Sequence, residues 1–148
     1  MLTVTIDSTA VTDVLAKIQR RLSDLSPAME GIGQEMVGRV SGRFETQTDP
    51  SGTPWAPWAP STAASYPDDG NGAVLDRYGD LLDKLNHQAG KTSVRIGFGA
   101  PYSTYHEWGT KTMPRRGLLT DDPDSGTLSP DDEAAVLVVL TDYLESLG

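Results

Sequence analysis

Val94-Arg95-Ile96-Gly97-Phe98-Gly99-Ala100-Pro101-Tyr102-Ser103-Thr104-Tyr105-His106-Glu107-Trp108-Gly109, residues 94–109, changes its repeat partway along. Val94, Ile96 and Phe98 alternate with Arg95 and Gly97, the pattern of a strand with one buried face. Gly97 and Gly99 leave room for close backbone approach. From Tyr102 the aromatics come every third residue, Tyr102, Tyr105 and Trp108, along one side of a helical turn, which reads as a core face. With the elements on either side the order reads β-α-α-loop-α-β-α-β-α, which indicates an α+β domain and not regular βαβ winding. The expected architecture is a small mixed or antiparallel sheet packed against long N-terminal helices and a C-terminal helix.

Upstream, Leu2, Val4 and Ile6 alternate with threonines as a short strand, and Asp7 and Ser8 offer helix caps. Val11, Val14, Leu15, Ile18, Leu22 and Leu25 then form the apolar stripe of a helix. Pro27 cannot continue that helix cleanly, so Ser26-Pro27 marks a break. A second helix carries Met29, Ile32, Met36, Val37, Val40 and Phe44 on one side, with Glu30, Glu35, Arg39 and Arg43 elsewhere. Val74, Leu75, Tyr78, Leu81, Leu82 and Leu85 have the spacing of a third helix, with Gly90 beyond its end. Downstream of the quoted stretch, residues 111–120 are basic and read as ending in a short strand through Leu118 and Leu119. Ser129-Pro130-Asp131-Asp132 supplies an N-cap, a proline in the first turn and acids on the positive helix end. Val136, Leu137, Leu140, Tyr143, Leu144 and Leu147 complete the last helix.

Between the second and third helices, residues 46–72 contain five of the ten prolines and a tandem Trp-Ala-Pro. Regular structure is not expected there. Long loops in compact domains are usually functional or disordered. Disordered segments are poor in aromatics, so Trp55 and Trp58 point to a loop that docks, either on its own core or on a partner.

The chain has 148 residues and no cysteine, so it fits one domain and has neither disulfides nor thiolate metal sites. No signal-peptide pattern opens it, and its longest apolar run is far short of a membrane helix. It reads as a soluble, cytoplasmic product without a membrane partner. The net charge of −9 argues against a general nucleic-acid binder. Its distribution is uneven: residues 91–120 hold Lys91, Arg95, Lys111, Arg115 and Arg116 against Glu107 alone, and residues 121–148 hold eight acids and no Lys or Arg. Two readings stay open, solvated faces that neutralise each other or complementary patches between copies.

Catalytic and metal motifs are scarce. His87 reads as a surface residue near a helix end, and His106-Glu107 places adjacent side chains on diverging directions. No Walker loop, nucleophile elbow or dinucleotide fingerprint is present. The Asp122-Pro123-Asp124-Ser125-Gly126 run departs from EF-hand spacing at its fifth position. No cofactor, metal or catalytic residue is assigned, and the chain reads as non-enzymatic.

Four segments, in order, resemble the phage virion morphogenesis family, the tail-completion proteins of contractile-tailed phages and their relatives. Phe44 followed by Asp49-Pro50-Ser51-Gly52-Thr53-Pro54-Trp55-Ala56-Pro57 is similar to the family's F…DPxGxPWxP. Val74-Leu75-Asp76-Arg77-Tyr78-Gly79-Asp80-Leu81 resembles its I-L-x-x-T-G-x-L. Val94-Arg95-Ile96-Gly97, running into Tyr102 through Gly109 with His106 between, resembles V-x-I-G…Y-A-x-x-H-x-x-G. Met113-Pro114-Arg115-Arg116-Gly117-Leu118-Leu119 resembles M-P-A-R-P-F-L, with Gly117-Leu118 in place of Pro-Phe; Tyr78 likewise replaces Thr. The motif or interface candidates are therefore Phe44, Asp49, Pro50, Gly52, Trp55, Leu75, Gly79, Leu81, Gly97, Tyr102, His106, Gly109, Pro114, Arg115 and Arg116. Arg116 is the foremost interface candidate, because its planar fork pairs well with carboxylates.

The resemblance implies a single tail-completion-like domain over 1–148, a structural part of the virion at the head–tail junction that is made in the host cytoplasm. It implies a homo-oligomeric ring, a hexamer among the arrangements open to it. Neighbouring neck, connector and tail proteins would be its partners, with packaged DNA passing through the lumen. In such a ring, residues 91–120 of one copy are expected to face 121–148 of the next. The alternatives are a hydrolase acting on cell wall or nucleic acid, and a DNA-contacting adaptor.

Overall fold

The computed structural model describes residues 9–66, 68 and 70–147. The expected strand at Leu2–Ile6 and the caps at Asp7 and Ser8 lie outside them. Helix α1 (Thr9–Ser23) and helix α2 (Ser26–Thr46) are separated at Asp24 and Leu25. The Asp24 carboxylate accepts from the Ser26 amide at 3.0 Å, and Leu25 donates its own amide to the Lys91 carbonyl at 2.8 Å. With Pro27 in its first turn, α2 begins anew after this break.

Helix α2 is the spine. Ala28, Ile32, Met36, Val40 and Phe44 recur every fourth residue and are buried. On one side it packs against α5 (Pro130–Glu145), on the other against an antiparallel hairpin of β1 (Leu85–Ala89) and β2 (Val94–Phe98). Leu85 faces Phe98, His87 faces Ile96 and Ala89 faces Val94 across the ladder. The sheet is thus small and antiparallel, with helices before and after it, and the chain is α+β. Gly33 is where hairpin and spine come closest: a methyl group there would collide with the His87 imidazole. His87 therefore sits in β1, not at a helix end, and its Nε2 lies 2.8 Å from Glu30 Oε1 on α2.

The expected third helix over Val74–Leu85 does not form. Residues 74–81 are turns, followed by one 3-10 turn (Leu82–Lys84), and Leu85 already belongs to β1. Leu75 and Gly79 have positive φ, 62° and 84°, which no α-helix accommodates. The apolar spacing was real but serves a different geometry. Leu81 is buried, and Val74, Leu75 and Leu82 pack on the same core from irregular backbone. The short strand expected at Leu118–Leu119 is also absent, because the amides there point at a side chain instead of a neighbouring strand. Conversely, the loop 46–72 contains one short helix, α3 (Pro60–Ser65).

Helix α5 begins as its sequence dictates: the Ser129 hydroxyl accepts from the Asp132 amide at 3.2 Å, with Pro130 in the first turn. Asp132 is more than a dipole-matching acid. It is fully buried and receives Arg39 Nε at 2.8 Å and Arg43 Nη2, while Arg43 Nη1 donates to the Leu118 carbonyl at 2.7 Å. Arg39 and Arg43 had no assigned role in the sequence. Here they face α5 and tie it to the spine.

Candidate functional site

Phe44, Trp55, Leu81, Ala100 and Leu118 form a buried cluster at the C-terminal end of α2. The Trp55 ring meets Phe44 edge-on at 5.4 Å between centroids, and its indole donates to the Gly117 carbonyl at 3.0 Å. The loop thus docks on its own core through Trp55. Its path there is set one turn earlier. Gln47 closes α2 in the left-handed region, and its side-chain amide bonds both the Val74 carbonyl and the Val74 amide. The Asp49 carboxylate then gathers the amides of Ser51 and Thr53, each at 2.9 Å, and Gly52 takes φ 87° at the turn. Pro50 is buried behind it.

A second clamp grips the same loop from the other side. The Arg116 guanidinium donates to the Ala56 carbonyl at 2.8 Å and the Pro57 carbonyl at 2.9 Å, and its amide donates to the His106 carbonyl. Arg116 is buried, so its fork serves its own chain. Arg115 behaves likewise, donating to the carbonyls of Glu107 at 2.7 Å and Thr120 at 2.6 Å. Gly109 permits this closeness: it has φ 75°, and a Cβ there would lie 2.9 Å from the Arg115 amide nitrogen.

The centre of the arrangement is Glu107, on the short helix α4 (Ser103–Trp108). It is buried, and its two oxygens accept from the amides of Leu118, Leu119 and Thr120 at 2.7, 3.0 and 2.9 Å, and from the Thr120 hydroxyl. Successive amides converging on one carboxylate make a concave anion seat of the kind that usually cradles phosphates. Here the protein fills it with its own side chain. Sequence reasoning passed over Glu107. The signal was there, since it is the lone acid among residues 91–120.

Because Glu107 turns inward, the aromatic side of α4 turns outward, contrary to the expected core face. Tyr102, Tyr105 and Trp108 are 40–57% exposed, and Tyr78 lies among the exposed large residues with them. Among the described residues, His106 Nδ1 and Trp58 Nε1 are buried without hydrogen-bond partners, and both residues line one cavity of about 460 Å³. Tyr66, Leu75, Met113 and Pro114 also line it. Burial holds the His106 imidazole below its ordinary value near 6.5, and the Arg116 charge adds to the effect. The neutral ring is thus the folded form, so acid favours the unfolded chain as pH falls below about 6.5. The His106 contribution to stability should be flat above that value and decline beneath it until the folded-state ring titrates. Melting temperatures of wild type and His106→Gln at pH 7.5 and 5.5 test this: the difference between the two pH values should shrink in the variant. An identical decline in both proteins would show that His106 contributes nothing to acid sensitivity.

Phe44, Trp55, Leu75 and Leu81 thus meet in or against one core, and Arg115, Arg116, Gly109, His106 and Pro114 surround it. Gly97, in β2, borders a separate shallow groove beside Glu107 and Trp108, and Gly79 serves the turn before β1. Among the described residues no group of three or more His, Asp or Glu side chains is placed to hold a metal ion, and no helix is long and apolar enough to cross a membrane. In comparison with known proteins, the model of the phage virion morphogenesis family matches residues 6–145. No curated protein and no solved structure matches the chain.

Proposed function

The chain belongs to the phage virion morphogenesis family, and we propose that within the particle it is a tail-completion or neck protein at the head–tail junction. In this reading it works without catalysis, by assembling with copies of itself into a ring and joining the tail to the head. Neck, connector and tail proteins would be its neighbours, and packaged DNA would pass through the lumen. The observation that carries the reading is the use made of the shared motifs. They lock a tryptophan loop rigidly to the core, and the buried charges Glu107, Arg116, Arg43 and Asp132 are all engaged in holding chain segments together. A rigid platform with outward aromatics suits docking, since tyrosine and tryptophan are enriched at the energetic centres of interfaces.

Arg115 and Arg116 hold their own chain, so reversing them to Glu would unfasten the loop and would not report on a neighbouring copy. Deleting the reading frame from the parent phage and imaging the lysate tests the placement. Full heads beside unattached tails, rescued by supplying the protein in trans, are expected. Normal joined particles would remove the junction role.

A further inference from the structure

Helix α1 leaves its apolar stripe open. Val14, Leu15 and Leu22 are 46–61% exposed, with Ile18 half-buried between them. Helix α5 does the same on the side away from α2, where Leu137, Val138 and Leu144 are 41–59% exposed. Ala134 before them and Thr141 between them, small and exposed, line that side as well, as a groove for a neighbouring helix requires. Scattered exposed leucines are ordinary, but stripes at helical spacing are not. The charges beside the two stripes are opposite in sign. Helix α1 carries Lys17, Arg20 and Arg21 against Asp13 alone, and α5 carries Asp131, Glu133, Asp142 and Glu145 on its exposed surface with no cation. The helices also match in length, at about 22 and 24 Å. Within one chain their C-terminal ends border a shared cleft lined by Arg20, Arg21, Tyr143 and Leu147, and the stripes beyond it stay open.

We propose that α1 of one copy lies along the outer face of α5 in the next copy. The proposal rests on the oligomeric reading above and names its contact. In the ring reading the contact is head-to-tail: each copy offers α1 to one neighbour and α5 to the other, which closes rings or grows filaments. Apolar burial supplies the attraction, and the opposed charges select α5 over a second α1, where Lys17, Arg20 and Arg21 would face their own kind.

The test uses two full-length variants, Leu15→Asp with Leu22→Asp on α1, and Leu137→Asp with Val138→Asp on α5. All four side chains are solvent-exposed, so circular dichroism should show both proteins folded. Light scattering in low salt should find wild type assembled and each variant monomeric, with association weakened at least about tenfold. Mixing the two variants should give a one-to-one dimer, because each retains the patch the other lacks. A mixture that stays monomeric overturns the proposal. So does a variant that assembles like wild type, and that result leaves the oligomeric reading standing. Wild type monomeric at high concentration sinks both. If both variants melt earlier with no change in mass, the stripes pack within one chain and the proposal fails.

Discussion

Glu107→Ala is expected to unfasten residues 116–120 from α4 and to cost on the order of 3–5 kcal/mol, because each buried donor left without an acceptor costs about 1–3 kcal/mol. Three amides and one hydroxyl lose their acceptor together. Arg115 loses a carboxylate as well, though at 3.4 Å that contact is the weakest of the set. Against a typical domain stability of about 5–15 kcal/mol, that is a large fraction. Glu107→Gln separates charge from geometry. An amide can still accept through one oxygen, but its NH2 must face two of the donors, so the variant should fall between alanine and wild type. Urea midpoints rank the three, and amide exchange at Leu118, Leu119 and Thr120 locates the damage. A wild-type midpoint for Glu107→Ala would mean that the anion seat contributes no stability.

The second large effect is expected at Asp132. Asp132→Ala leaves the Arg43 guanidinium buried with the Leu118 carbonyl alone, and breaking one half of a buried pair costs about 3–5 kcal/mol. Arg39 is partly exposed and can turn to water, so the cost falls mainly on Arg43. Adding Arg43→Met to Asp132→Ala should therefore restore part of the stability, because the orphaned charge is gone. A double-mutant cycle in denaturant measures the coupling. Single-variant losses that simply add would show that the two side chains act independently.

Much of the fold was legible because its determinants are local. The four-residue steps of α2, the break at Pro27, the Asx turn at Asp49 and the cap at Ser129 each rest on residues a few positions apart. Trp55 was readable as an anchor because a large aromatic in a proline-rich loop has few other uses. What failed depended on distant partners. Leu85, His87 and Ala89 fit a helix edge or a strand equally well until β2 supplies the ladder. Leu75 at positive φ could not be foreseen, since nothing near it calls for glycine-like backbone. The outward turn of Tyr102, Tyr105 and Trp108 follows from Glu107, whose donors lie 11 to 13 residues downstream. Arg116, with its planar fork, looked like a residue for meeting a neighbour's carboxylates. Backbone carbonyls of its own loop satisfy the same geometry.

The Arg43 fork joins residues far apart in the chain, reaching 75 positions to Leu118 and 89 to Asp132. During synthesis, therefore, the spine helix emerges long before the carboxylate that neutralises it. A chain cut short before Asp132 would leave the Arg43 guanidinium with the Leu118 carbonyl as its one partner. The Arg43–Asp132 pair thus makes the burial of the spine helix conditional on α5 being in place.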